Sequence, residues 1–164
     1  MIRLLFLTIV LAGCYAKSET NELPVNSEMT GKVIKIVDGD TYDLLLDNHT
    51  TKRIRMEGID APERGMPFYK VAKDYLGQLC FGKNVSIVQT DLDRNGRVIA
   101  KTFLSDGREI GYLMIKAGFA WHFKKYSTDQ QLANAEIEAR NARSGLWIDA
   151  MPIAPWNWRK KARN

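Results

Sequence analysis

DGDTYDLLLDNHTTKRIRMEGIDAPE, residues 38–63, is the stretch whose reading decides the fold. Thr41–Asp47 is apolar and rich in strand formers. Thr50–Ile59 alternates, with Arg53, Arg55 and Glu57 on one face and Ile54 and Met56 on the other. Asn48-His49 is the natural place for the chain to fold back. A hairpin with its axis there pairs positions that sum to about 97. Asp40 then faces the region of Glu57, Arg55 pairs near Tyr42, and Asp60 lies just past the ladder on the same side. One end of the hairpin so gathers Asp38, Asp40, Arg55, Asp60 and Glu63. Carboxylates crowded around one arginine are costly unless a cation or an anionic ligand joins them.

Taken singly, DGD and DAPE are turn chemistry, since Asp-Gly suits a tight turn and Pro62 stops a strand. Together they are more specific, because the pairing brings both to one place with an arginine between. The chain carries three motifs: Asp38-Gly39-Asp40-Thr41, Arg55-Met56-Glu57-Gly58-Ile59-Asp60-Ala61-Pro62-Glu63, and Asp93-Arg94-Asn95-Gly96-Arg97. They resemble the signature of the staphylococcal nuclease (thermonuclease) family, DGDT, R-x-x-x-x-D-[AT]-P-E and D-x-x-G-R. The resemblance runs from about Gly31 to Trp158.

The resemblance implies an α+β fold, an OB-fold five-stranded β-barrel with three helices. Strand count alone leaves other small α+β folds open. It also implies a site. Asp40 and Asp60, with the backbone carbonyl of Ala61, are the expected Ca2+ ligands; carboxylate and carbonyl oxygens suit that hard cation. Arg55 and Arg97 match the family's phosphate-clamping arginines, whose forks hold two oxygens and stay charged. Glu63 matches the glutamate that orients or deprotonates the attacking water. Tyr126 aligns with one of two nucleotide-pocket tyrosines and Lys124 with the other; Asn95 stands where tyrosine is frequent. Asp38 is read as sitting behind the metal ligands or serving the turn. The implied activity is calcium-dependent hydrolysis of DNA and RNA phosphodiesters with little sequence specificity, leaving 3′-phosphates. The alternative is a non-catalytic OB-fold module that binds nucleic acid or protein. Retention of Asp40, Arg55, Glu63 and Arg97 argues against it.

The 164 residues make one domain by size, with no internal repeat and room for a real core. The formal net charge of +5 is unevenly spread. Arg3 belongs to the leader, and Arg159, Lys160, Lys161 and Arg163 crowd the last six residues, so the body is charge-balanced. A basic tail is usually solvated charge, with phosphate contact as the sharper reading. At the other end Arg3 precedes an apolar run, Leu4–Ala12, too short to span a membrane. Leu11-Ala12-Gly13-Cys14 resembles a lipobox. The expected organisation is therefore a lipoprotein-type signal peptide at 1–13, a polar tether at 14–29, the nuclease-like domain at 30–158 and a basic tail at 159–164. Cys14 is the expected lipidation site, which implies export and a membrane anchor; the ordinary alternative is a secretory or uncleaved leader. Cys80 falls on an apolar helical face, so no intramolecular disulfide is expected. The protein is expected to be a monomer.

In chain order, a first strand at Gly31–Val37 precedes the hairpin. A helix is predicted over Pro67–Phe81, its apolar stripe reading as core rather than a cofactor site. Strands at Asn84–Thr90 and Arg97–Leu104 flank Asn95-Gly96, a hairpin signal. A short helix holds Ile110, Leu113, Met114 and Ala117. Thr128 with Gln131 suggests a capping box opening a third helix to about Arg143. His122, between Trp121 and Phe123, reads as a packing or nucleotide-pocket residue, and Trp147, Trp156 and Trp158 as fasteners of the C-terminal segment.

Overall fold

The computed structural model describes residues 27–161. Its strands are β1 (Glu28–Ile36), β2 (Thr41–Leu46), β3 (Thr51–Met56), β4 (Ile59–Asp60), β5 (Asn84–Leu92), β6 (Val98–Phe103) and β7 (Trp121–His122). Its helices are α1 (Tyr69–Cys80), α2 (Ile110–Lys116), α3 (Gln130–Asn141) and α4 (Pro155–Lys161), with a 3-10 turn at Gly145–Ile148. Five strands close a barrel in the order β1-β2-β3-β6-β5, while β4 and β7 form a separate small sheet. Every barrel pair is antiparallel except β3 with β6, where Arg55 faces Ile99 in a parallel ladder. The architecture is the expected OB-type α+β barrel, with α4 added to the three helices foreseen.

Strand alternation fills the barrel. Val33, Leu44, Ile54, Ile87 and Ala100 are buried inside, and the Tyr42 hydroxyl meets Thr102 Oγ1 at 2.8 Å, so its polar end is satisfied there. Helix α1 covers the barrel with Ala72, Leu76 and Cys80, four residues apart on one stripe and fully buried. Burying a leucine side chain of this kind contributes about 2 kcal/mol. The Cys80 thiol is pushed up to about 12 by that burial, which suits packing and not reactivity.

Several boundaries differ from the sequence reading, each for a local reason. β1 starts at Glu28, inside the segment read as tether, because Glu28–Lys32 pairs with Val88–Asn84. The leader, Cys14 and most of that tether lie outside the described residues. The β2–β3 register is one residue tighter than expected: Thr41, not Tyr42, faces Arg55. A three-residue loop makes the turn, with Leu46 and Thr50 bonded across it and His49 left-handed at φ 61°. Helix α1 begins at Tyr69 instead of Pro67, since Phe68 enters it left-handed at φ 65°. The cap of α3 is Asp129, not Thr128; its carboxylate accepts from the amides of Gln131 and Leu132. The segment read as a basic tail from Arg159 continues α4 through Lys161.

Candidate active site

The DGD turn leads into β2 and the DAPE segment leaves β4, so both motifs meet at the end of the β2–β3 hairpin. Close contact depends on Gly39: a Cβ there would lie 2.7 Å from that of Ala61 and 3.0 Å from that of Ala72. Asp38 accepts the Asp40 amide at 3.1 Å and so shapes the turn. Burial first, and then the charge of Asp40, push the Asp38 carboxyl up to about 7. Asp40 is buried. Its Oδ2 accepts from the Ala61 amide at 2.7 Å and its Oδ1 from the Thr41 hydroxyl at 3.0 Å. The two motifs are thus joined through backbone as well as charge.

Arg55, near the end of β3, organises the carboxylates. Its Nε lies 3.2 Å from Asp40 Oδ1, its Nη2 donates to Asp60 Oδ1 at 3.1 Å, and its Nη1 donates to the Met56 carbonyl at 2.9 Å. The Nε–Nη2 edge usually takes both oxygens of one carboxylate. Here it is shared by two aspartates, and anionic oxygens from separate segments converge on it. Asp60 is almost wholly buried in the β4–β7 sheet. Burial raises its carboxyl above the ordinary range while the hydrogen bond from Arg159 pulls it back. This donor set fits a hard divalent cation: buried carboxylate oxygens, with no thiolate or imidazole among them. Among the described residues no group of three or more His, Cys, Asp or Glu is disposed to hold a metal unaided. A cation would therefore depend on backbone and substrate oxygens to complete its shell.

A second guanidinium stands in the cluster, and it is not Arg97. Arg159 on α4 donates from Nη2 to Asp60 Oδ2 at 2.7 Å, and from Nη1 to Asp60 Oδ1 at 3.1 Å and to Glu63 Oε1. Burial works against its charge, but the bonds to Asp60 and Glu63 outweigh it and hold its pKa above the usual value. Arg97 instead closes the β5–β6 turn, its Nε bonded to Asp93 Oδ2 at 2.7 Å and its amide to Asp93 Oδ1. Among the described residues it contacts neither Asp40, Asp60 nor Glu63. The missed signal in α4 was local: Pro155 is a favoured first helical residue, and Trp156 and Arg159 stand three apart, on one face.

Beside the cluster lies a cleft of about 620 Å³. Lys124 borders it and donates to the buried Glu136 at 2.8 Å; Tyr126, largely exposed, packs edge-on against Phe123 at 4.9 Å. His122 is only 2% exposed, with Nε2 3.1 Å from Ser127 Oγ and Nδ1 unpartnered. Trp121 meets Trp147 and Trp156 edge-on at 4.4 and 5.5 Å, and Trp156 stacks on Phe123, so the tryptophans do fasten the C-terminal segment.

Residues 53–149 match the family model described as Staphylococcal nuclease homologue. A protein named "Uncharacterized endonuclease" from Escherichia coli is 36% identical over 135 residues, covering 82% of this chain and 88% of its own. The chain belongs to the staphylococcal nuclease family. A "Micrococcal nuclease" from Shigella flexneri is 35% identical over 152 residues, 87% of each chain. A probable staphylococcal-like nuclease of Oryza sativa subsp. japonica is 45% identical over 112 residues, which are 68% of this chain and 30% of that longer one. The matched segment of this nuclease contains Arg55, Asp60, Glu63 and Arg97 and stops short of α4.

Proposed function

We propose that this nuclease is calcium-dependent, cutting DNA and RNA with little sequence preference and leaving 3′-phosphates. The observation that carries the reading is the pair of buried aspartates sharing one guanidinium fork, with Glu63 tied to the same cluster. Calcium, held by Asp40, Asp60 and the Ala61 carbonyl, would supply Lewis-acid stabilisation of the phosphate. Arg55 holds non-bridging oxygens as charge develops, the point at which an interaction accelerates the reaction. Glu63 accepts from the attacking water and orients it through Oε2, the carboxylate oxygen that Arg159 does not take. Arg97 is the second phosphate-clamping arginine of this reading, reaching the scissile phosphate from its place beside Asp93 when substrate is bound. Lys124 and Tyr126 supply charge and an aromatic plane to the neighbouring nucleotide. Such contacts favour backbone and stacking over base edges, which is why little sequence preference is expected.

Export belongs to the same reading, with Cys14 acylated as a membrane anchor and the enzyme acting as a monomer; incorporation of labelled fatty acid, lost in Cys14→Ser, tests the anchor. The activity test is digestion of plasmid and of RNA by the purified protein, in calcium and in excess EGTA, beside Glu63→Gln. Cleavage should stop in EGTA and fall about 10²-fold or more in the variant. Full cleavage in EGTA would overturn the calcium requirement, and an unchanged Glu63→Gln rate the role of that carboxylate.

A further inference from the structure

The last turn of helix α4, from Arg159, stands where the sequence reading placed a basic tail, and the helix is held by packing. Pro155 is buried at its start, and the Trp156 ring lies flat on Phe123 at 5.3 Å with the planes 1° apart. One turn further on, the same face carries Arg159 to Asp60 and Glu63. A guanidinium has five donor hydrogens, and these contacts use three. The side chain keeps 35% of its surface exposed and, with Lys160, borders the cleft. We propose that Arg159 is a third phosphate-contacting guanidinium of this nuclease, and that α4 forms the wall of a cleft seating the substrate strand beside the scissile phosphate. The proposal rests on the nuclease reading above and deepens it.

Charge is the first argument. Among the carboxylates paired with Arg55 and Arg159, Asp40, Asp60 and Glu63 carry three negative charges, which Arg55 and a divalent cation would cancel, leaving no net attraction for a diester. Arg159 leaves such a site with one positive charge in excess, the charge of one phosphate. The second argument is the cleft, whose volume of about 620 Å³ falls within the range of ligand sites. Lysine and arginine side chains line it together with Phe123, Tyr126 and Trp156, the mixture that tracks a phosphate backbone and stacks bases. A surface that merely shielded the carboxylates would need none of these features.

The test compares Arg159→Met and Arg159→Lys with the parent, and with Arg55→Met and Glu63→Gln, in the full chain with calcium. Single-turnover cleavage of single-stranded DNA gives the chemical step. Binding of a labelled oligonucleotide across a salt series, in the Glu63→Gln background, gives the phosphate contact, and calorimetry gives calcium affinity. Arg159→Met should lower the single-turnover rate about 10²-fold and flatten the salt slope by about 0.7, with calcium bound at least as tightly. Arg159→Lys, which keeps the charge and the fold, should restore the salt slope and little of the rate. An Arg159→Met variant that cuts at the parent rate or faster, or binds with an unchanged salt slope, overturns the proposal and makes Arg159 a counter-ion of the carboxylates only. If Arg55→Met and Glu63→Gln lose activity in that same experiment, the nuclease reading survives. Full activity in all three would defeat both. Should Arg159→Met melt at the assay temperature, the rate of Arg159→Lys decides alone, and a parent-like rate overturns the proposal.

Discussion

Single residues set the pH behaviour of this molecule, and two of them oppose each other. His122 is buried, and desolvation lowers its pKa below that of a free imidazole. The unfolded chain therefore takes up this proton first as the pH falls below about 6.5, and stability is lost toward acid. Asp38 has the opposite sign. Its carboxyl, held at about 7, binds a proton more tightly when folded, so its contribution is favourable at low pH and lost as the pH rises toward 7. The parent's slope mixes the two, and a variant separates them. His122→Gln, measured by urea midpoints at pH 7.5 and pH 5.5, should lose less stability on acidification than the parent. An equal loss would show that His122 titrates as a free imidazole. This residue's place beside Trp121 and Phe123 was legible in the sequence, but its unpartnered nitrogen was not, because its surroundings are set by β4, distant in the chain, and by α3.

Among the elements, the DGD turn docks closely on the DAPE segment and on α1. It is tight because Gly39 meets Ala61 and Ala72 at Cβ positions fixed by backbone, not at the ends of flexible chains. Gly39→Ala should destabilise the fold by about 1–3 kcal/mol through overpacking and weaken calcium binding by moving Asp40 from Ala61. Ala61→Gly keeps the carbonyl and removes one methyl, so the double variant should recover part of both losses. Denaturant midpoints and calcium titrations check this, and strict additivity would argue against direct contact. Motif order and helix positions could be read along the chain, because turn residues and apolar periodicity are local. The one-residue error in the β2–β3 register came from His49, which takes a left-handed turn position that composition does not announce. The α3 cap was misread for a similar reason: a capping pattern at Thr128 competed with an ionised, stronger acceptor one residue on.

Across the whole molecule, Asp40 and Asp60 come together only in the folded chain, so the calcium proposed for them should act as a folding ligand. Saturation at 100 times the dissociation constant should add about 2.7 kcal/mol, read as a rise in melting temperature over EGTA. Asp60→Asn should abolish that rise. Arg159 was the hardest residue to foresee, since 96 and 99 positions separate it from its carboxylates and no local pattern spans that distance. The parallel β3–β6 pair has a consequence for the route by which the chain folds. Hairpins can form β1–β2–β3 and β5–β6 locally, but joining them in parallel requires the crossover through α1, a non-local closure of the kind that slows folding. Arg55 lies on that seam. During refolding, recovery of activity should track the final barrel closure, and an early intermediate holding only the hairpin should have secondary structure without turnover.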